Sequence, residues 1–145
     1  MKCITELKDI KEILEQFKND LPSLMEGKVN IDTFSQKLHQ FGRMCVYEDL
    51  GVTKGFAAYY ANDEVKNIAY LSMIAVKRLY RREHIGTQLL CFVEKKSCLA
   101  GMKFLRLEVN KLNDSAIRFY KRHQYSITEE TTESYYMTKE LFREG

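Results

Sequence analysis

Apolar residues recur at helical spacing in two segments near the start of the chain. In residues 9–21 the spacing places five apolar side chains on one side, namely Ile10, Ile13, Leu14, Phe17 and Leu21. It predicts an amphipathic helix that Pro22 ends. The spacing returns in residues 31–41, which predicts a second helix with Gly42 as its stop.

The rest of the chain alternates between strand and helix patterns. Strands are predicted where β-branched, aromatic or alternating residues cluster, at residues 43–49, 55–60, 68–76, 102–109, 125–128 and 135–139. Helices are predicted from Ile85 to a stop at Gly101, and over residues 114–122. A turn at Asn62-Asp63 joins the second and third strands as an antiparallel hairpin. This order indicates a single α/β domain over residues 1–145, with a mixed sheet and helices on both faces.

The composition is that of a soluble domain. Of 145 residues, 45% are hydrophobic and 30% charged, and no apolar run approaches the roughly 20 residues of a membrane span. Glu6 precedes any apolar run, so we expect no secretory signal. The four cysteines form no C-x-x-C pair and no metal-ligand spacing. This favours reduced, buried cysteines in a cytoplasmic protein that needs no metal.

The net charge of the chain is small, but several basic residues are clustered. A net charge of +3 is too small to indicate a nucleic-acid partner. Four basic residues crowd one short loop instead of one face of the molecule, namely Lys77, Arg78, Arg81 and Arg82. We therefore expect neither nucleic acid nor a membrane as a partner.

The basic loop joins a predicted buried strand to the start of a long predicted helix. The first amides of a helix have no internal partner, and the helix dipole places partial positive charge there. A phosphate at this point gains N–H bonds and attraction from Arg81 and Arg82. Gly86 allows the backbone to come close to such a ligand. The segment from Ile68 to Leu90 therefore predicts a phosphate-binding strand, loop and helix start.

A second strand-to-helix segment, residues 107–120, carries polar residues on one helical face. Asn113 and Tyr120 are two turns apart, so a phenol there could reach whatever the basic loop holds. The alternative is that Asn113 or Asp114 only caps the helix and Tyr120 belongs to the core.

These two segments resemble the cofactor signatures of the GCN5-related N-acetyltransferases (GNAT family). The family's pyrophosphate loop, Q/R-x-x-G-x-G/A, is similar to Arg81-Arg82-Glu83-His84-Ile85-Gly86, with His84 where the first glycine is usual. The second signature is similar to Asn113, Ala116 and Tyr120, but ends in Gln124-Tyr125 where glycine-phenylalanine is usual. The closing segment, residues 135–141, also looks like the family's last strand, so the resemblance covers about residues 55–141.

The resemblance implies a single-domain GNAT fold, with a mostly antiparallel mixed sheet splayed between two parallel strands. Residues 1–54 would form the acceptor side and residues 55–141 the acetyl-CoA-binding core. Main-chain groups of Ile74, Ala75 and Val76 would pair with the pantetheine arm. The pyrophosphate would be held by Arg81 and by the amides of Arg82, Glu83, His84, Ile85, Gly86 and Thr87. Asn113, Ala116 and Tyr120 would complete the cofactor site, and His84 is expected to leave binding intact.

The same resemblance implies candidates for the chemistry. The Val76 amide would stabilise an oxyanion, and Tyr120 would protonate the departing sulfur. Glu108 is the candidate for the general base, and a water relay is the alternative. The alternative for Glu108 is an ion pair with Arg106, two residues away on the same strand face.

The leading hypothesis is an acetyl-CoA-dependent N-acetyltransferase for a primary amine of a small molecule, with amino sugars and amino acids as candidates. One alternative is acetylation of a protein N-terminus or lysine. Another is a CoA-binding module without catalysis, in which His84 and Gln124 mark a degenerate site. The protein is expected to be a monomer or a homodimer.

Overall fold

A seven-stranded sheet runs through the molecule; the structure, a computed structural model, describes residues 1–142. The strands are β1 (Lys2–Ile4), β2 (Arg43–Asp49), β3 (Val52–Tyr60), β4 (Ile68–Val76), β5 (Phe104–Asn110), β6 (Ser126–Glu130) and β7 (Ser134–Glu140). The helices are α1 (Leu7–Gln16), α2 (Pro22–Met25), α3 (Ile31–Phe41), α4 (Ile85–Leu99) and α5 (Asp114–Arg122). The strand order is β1-β2-β3-β4-β5-β7-β6, and within it the β4–β5 pair is parallel while the others are antiparallel. The predicted mixed α/β sheet is thereby confirmed.

The start of the chain differs from the prediction in three ways. The helix predicted over residues 9–21 is present as α1, but its predicted end is wrong, because α1 ends at Gln16 and a 3₁₀ turn follows over Lys18–Asp20. Pro22 begins α2 instead of ending a helix, since a first helical position needs no N–H donor. The edge strand β1 was missed, because three residues are too few to show an alternating pattern.

Two apolar cores cover the two faces of the sheet. The first contains Leu89 and Val93 of α4 together with Ile117 and Tyr120 of α5. The second contains residues of α1, α2 and α3, namely Ile10, Ile13, Leu14, Leu24 and Leu38. The helices therefore lie on both faces, with α4 and α5 opposite α1, α2 and α3.

A β-bulge in β4 changes which face its side chains occupy. Ala58 of β3 pairs with Met73 and Tyr59 pairs with Leu71, so Ser72 is an extra residue. Leu71 belongs to the first core, whereas Met73, two residues later, belongs to the second. In a regular strand both would share a face.

The two parallel strands separate at this bulge. The β4–β5 pairing ends at Leu71 and Leu107, although β4 continues to Val76 and β5 continues to Asn110. The segments 72–76 and 108–110 therefore flank a notch in the sheet where β4 has no partner on that side.

The cysteines are free thiols, as expected, but they are not all buried. Cys45 is buried, whereas Cys3 and Cys91 are exposed. The expectation of buried cysteines is wrong for these two because Cys3 lies on the edge strand and Cys91 faces outward on α4. Within residues 1–142, no helix is long and apolar enough to cross a membrane.

Candidate active site

The main chain of β4 offers hydrogen-bonding groups to the notch at alternate residues. The Lys77 N–H donates to the Lys54 carbonyl over 2.9 Å, which makes Lys54 and Lys77 a hydrogen-bonded pair of the β3–β4 ladder. Since such pairs alternate, Ala75 also bonds to β3, while Ile74 and Val76 direct their main-chain groups toward the notch. The assignment of Ala75 to the pantetheine arm is therefore corrected, because its polar main-chain groups are used by the sheet.

The start of α4 provides unpaired amides beside the notch. In the described part of the chain, the N–H groups of Ile85, Gly86 and Thr87 have no acceptor, and the first helical bond runs from Gln88 to the His84 carbonyl over 3.2 Å. The Glu83 N–H, in contrast, donates to the Tyr80 carbonyl over 3.1 Å. Glu83 is therefore removed from the predicted set of phosphate-binding amides.

His84 and Gln124, the two residues that stand where the family has glycine, both adopt left-handed backbone conformations. Their φ angles are 60° and 68°, a region that glycine enters without a steric penalty. His84 is the N-cap of α4. Gln124 follows α5, whose end is closed by a bond from the Tyr125 N–H to the Tyr120 carbonyl over 3.0 Å. Both departures thus retain the backbone that glycine would give.

Gly86, in contrast, does not have a left-handed backbone conformation that would require glycine. A Cβ added there would lie 3.5 Å from Cζ of Phe119, an ordinary van der Waals distance. The missing side chain instead leaves the first turn of α4 open beside Phe119 of α5.

The basic loop is fixed by its own contacts. Arg81 donates from Nε to the Val76 carbonyl over 3.3 Å, so this guanidinium lies at the end of β4 next to the notch. Arg82 and His84 are exposed. The cationic side chains predicted to attract a phosphate are therefore gathered around the start of α4.

Asn113 and Tyr120 on α5 have the structural roles that were predicted as the alternative. The Asn113 side-chain oxygen accepts from the Ala116 N–H over 3.2 Å, so it is the N-cap, and its amide nitrogen remains a donor. Tyr120 is only 8% exposed and belongs to the first core. Burial raises the pKa of its phenol to about 12, so Tyr120 is protonated at neutral pH.

Glu108 lies on β5 opposite Tyr136 of β7. The Tyr136 hydroxyl donates to its carboxylate over 3.4 Å. The predicted alternative of an ion pair with Arg106 is wrong, because Arg106 pairs with Glu129 of β6 and stacks 4.3 Å from the centre of the Tyr136 ring. Glu108 is thereby left exposed, without a cationic partner among residues 1–142.

Two tyrosines outside the predicted set of catalytic and cofactor-binding residues lie beside Glu108. Tyr70 of β4 lies close enough that the Glu108 charge helps burial, the larger cause, to raise the Tyr70 pKa to about 12. Tyr136 lies beside Glu108 because the register of β5 and β7 pairs these two residues. Its position in the last predicted strand was the only available signal, because strand register has no local sequence signature here.

Glu108 and Tyr120 lie on opposite faces of the sheet. Leu107 and Val109 of β5 point into the first core, beside Tyr120. Glu108, between them, therefore projects to the face that carries α1, α2 and α3. A carboxylate and a phenol thus lie on opposite faces of the sheet.

Comparisons with known proteins agree with this geometry. The model of the Acetyltransferase (GNAT) family matches residues 7–125. No curated protein matches the sequence. Among solved structures, Ard1 from Thermoplasma volcanium is 23% identical, with 98% of each chain covered and a TM-score of 0.78.

Two further structures have the same fold. The ribosomal-protein-S18-alanine N-acetyltransferase from Escherichia coli is 19% identical, with 99% of this chain and 96% of that chain covered and a TM-score of 0.78. The PaiA N-acetyltransferase from Thermoplasma acidophilum, in complex with coenzyme A, is 18% identical, with 97% and 98% covered and a TM-score of 0.75. The chain belongs to the GNAT family, whose members are acetyl-CoA-dependent N-acetyltransferases.

Proposed function

We propose that this enzyme transfers the acetyl group of acetyl-CoA to the primary amine of a small polar molecule, such as an amino sugar or an amino acid. The observation that carries the proposal is the break in β4–β5 pairing directly before the unpaired amides of α4. An extended pantetheine arm fits the open side of a strand, and a diphosphate fits the helix start that follows it.

The cofactor would be held by main-chain groups on one side and by cations on the other. Ile74 and Val76 pair with the pantetheine amides, and the amides of Ile85, Gly86 and Thr87 bind the diphosphate. Arg81 and Arg82 add charge, while Asn113 and Ala116 at the start of α5 close the other side of the notch.

The acceptor reacts on the face of Glu108. An amine attacks only when it is neutral, so Glu108 removes the proton of the bound ammonium, directly or through a water molecule. Val76 lies at the diphosphate end of β4, 3.9 Å from the Cβ position of Gly86, so another main-chain N–H of the unpaired segment of β4 donates to the oxyanion that forms when nitrogen adds to the thioester carbonyl. This amide is free because β5 has already separated from β4.

Tyr120 then protonates the sulfur as the carbon–sulfur bond breaks. Its pKa of about 12 makes it a weaker acid than free tyrosine. A thiolate that departs into the same apolar surroundings is also more basic than in water, because burial disfavours both anions. The two pKa values therefore move in the same direction, and transfer stays feasible.

The surroundings of Glu108 support a small polar acceptor. The phenols of Tyr70 and Tyr136 and the Arg106–Glu129 pair place hydroxyls and charges of both signs beside the carboxylate. Such a mixture suits hydroxylated or zwitterionic amines, which need several hydrogen bonds to be fixed.

Release of the CoA thiol tests the proposal. The purified enzyme would receive acetyl-CoA with amino sugars, amino acids, polyamines, or peptides with free N-termini or lysines. Turnover with a sugar or amino acid is expected. Turnover with peptides alone would move the enzyme to the protein acetyltransferases, and CoA binding without turnover on any acceptor would indicate a non-catalytic module.

A further inference from the structure

Lys54 of β3 contacts the basic loop at three points. Its carbonyl accepts from the Lys77 N–H at the start of the loop over 2.9 Å. Its ammonium lies 4.6 Å from the centre of the Tyr80 ring. At the end of the loop, the Lys54 Nζ bonds to Oε1 of Glu83 over 3.0 Å. One residue, through its carbonyl and its ammonium, thus connects β3 to both ends of the segment that leads into α4.

The lysine is shielded while its carboxylate partners are not. Its side chain is 14% exposed, against 49% for Glu83. A second carboxylate, Asp49, lies 3.3 Å from the same Nζ. The bond to Glu83 is the main cause that raises the Lys54 pKa, so the ammonium is charged throughout the physiological range.

Glu83 is the one carboxylate in residues 77–86. It directly precedes His84 and the unpaired amides of α4. A carboxylate free to turn toward that helix start would compete for its amides and repel an incoming diphosphate.

We propose that Lys54 is a positioning residue for acetyl-CoA: it holds the Glu83 carboxylate against β3 and neutralises it, which keeps the start of α4 available to the diphosphate. This inference rests on the proposed function, because it concerns the same cofactor site. Lys54 acts through Glu83 and does not touch the reacting atoms.

Binding of CoA to four variants, measured by calorimetry, tests the proposal. Lys54→Met is expected to weaken CoA binding about tenfold, the order expected when a charge is left uncompensated at a binding site. Glu83→Gln alone is expected to change it by less than about twofold. In Lys54→Met/Glu83→Gln the affinity should return to within about threefold of the wild type, since no carboxylate remains to be neutralised.

Lys111→Met is the matched control. Lys111 also pairs with a carboxylate, Glu130, and lies 5.2 Å from the centre of an aromatic ring, Tyr135, but it follows β5 and is outside the basic loop. Its loss should leave CoA affinity unchanged. The KM for S-acetylpantetheine, which lacks the diphosphate, should be the same in Lys54→Met and the wild type.

Several results would overturn the inference. Unchanged CoA affinity in Lys54→Met would do so, and so would a loss that Glu83→Gln fails to rescue, since the lysine would then attract the phosphate itself. Failure of both Lys54→Met and the double variant to fold would assign Lys54 to domain stability. Absence of CoA binding in the wild type would instead reject the proposed function.

Discussion

Tyr136 faces Glu108 across the β5–β7 ladder, and its hydroxyl donates to the Glu108 carboxylate over 3.4 Å. This relationship leaves the carboxylate on the acceptor face with a neutral partner rather than a cation. A carboxylate held in this way remains able to accept a proton from an amine.

Glu108→Gln is expected to lower kcat about 100-fold or more, the usual size of a general-base contribution. Glutamine can still accept from Tyr136, so the fold and the dissociation constant of acetyl-CoA should change little. Steady-state kinetics and calorimetry check both. Glu130→Gln is the control: it removes the ion pair with Lys111, and a comparable loss of kcat there would show that the loss of a negative charge, not of the base, is responsible.

Tyr120→Phe is expected to lower kcat about 100-fold with acetyl-CoA affinity kept within about twofold. The phenol is buried, so the ring packing is retained when only the hydroxyl is removed. Rapid-quench measurement of acetyl transfer reports the chemical step. Full activity in this variant would mean that water, not Tyr120, protonates the sulfur.

The raised pKa of Tyr120 gives a pH dependence with a defined sign. The phenol has a pKa of about 10 in the unfolded chain and about 12 in the folded protein. Its contribution to stability is therefore complete below about pH 10 and is lost as the pH rises to about 12. Urea unfolding between these values should show a steeper loss of stability in the wild type than in Tyr120→Phe, and equal slopes would contradict the assignment.

Glycine is expected to stabilise the protein at the two left-handed positions. His84→Gly and Gln124→Gly should each raise the free energy of unfolding by about 0.5–1 kcal/mol, because a side chain at positive φ costs more than the extra entropy of glycine in the unfolded chain. Urea unfolding measures the change. Gln88→Gly, an exposed position inside α4, is the opposite control and should cost about 1 kcal/mol.

A largely buried ion pair ties α4 to β7 and should matter for stability. Lys139 contacts both oxygens of Glu94 at 3.1 Å, and Tyr125 donates to Glu94 over 2.7 Å. Lys139→Met should cost about 2–3 kcal/mol, because it leaves a shielded carboxylate without its cation. The exposed pair of Lys28 with Glu26 provides the contrast: Lys28→Met should change stability by less than about 0.5 kcal/mol.

The sequence pattern correctly predicted those elements whose bounds depend on interactions between residues close together in the chain. The bounds of α3, β2, β4 and α5 agree with the sequence because apolar spacing, a capping Asn or Gly and β-branched runs act within one element. The basic loop and the start of α4 were visible for the same reason, since a strand, a cationic turn and a helix are contiguous in the chain.

Non-local pairing determined the rest. The partnership of Arg106 with Glu129, in place of Glu108, depends on how β6 aligns with β7. The roles of Ala75 and Glu83 changed because ladder alternation and a single turn bond decide which amides are free. These contacts produce no periodic pattern in the sequence, so residue spacing could not have predicted them.

The extra residue in β4 has a consequence for how this cleft can be changed. Ser72 alone shifts the register of β4, at the boundary between the half that pairs with β5 and the half that does not. The opening therefore depends on one additional residue in β4 and not on the identity of particular side chains. Substitutions at Ser72 should be tolerated. Its deletion, in contrast, would move the side chains of residues 73–76 to the opposite face of the sheet and remove the binding cleft.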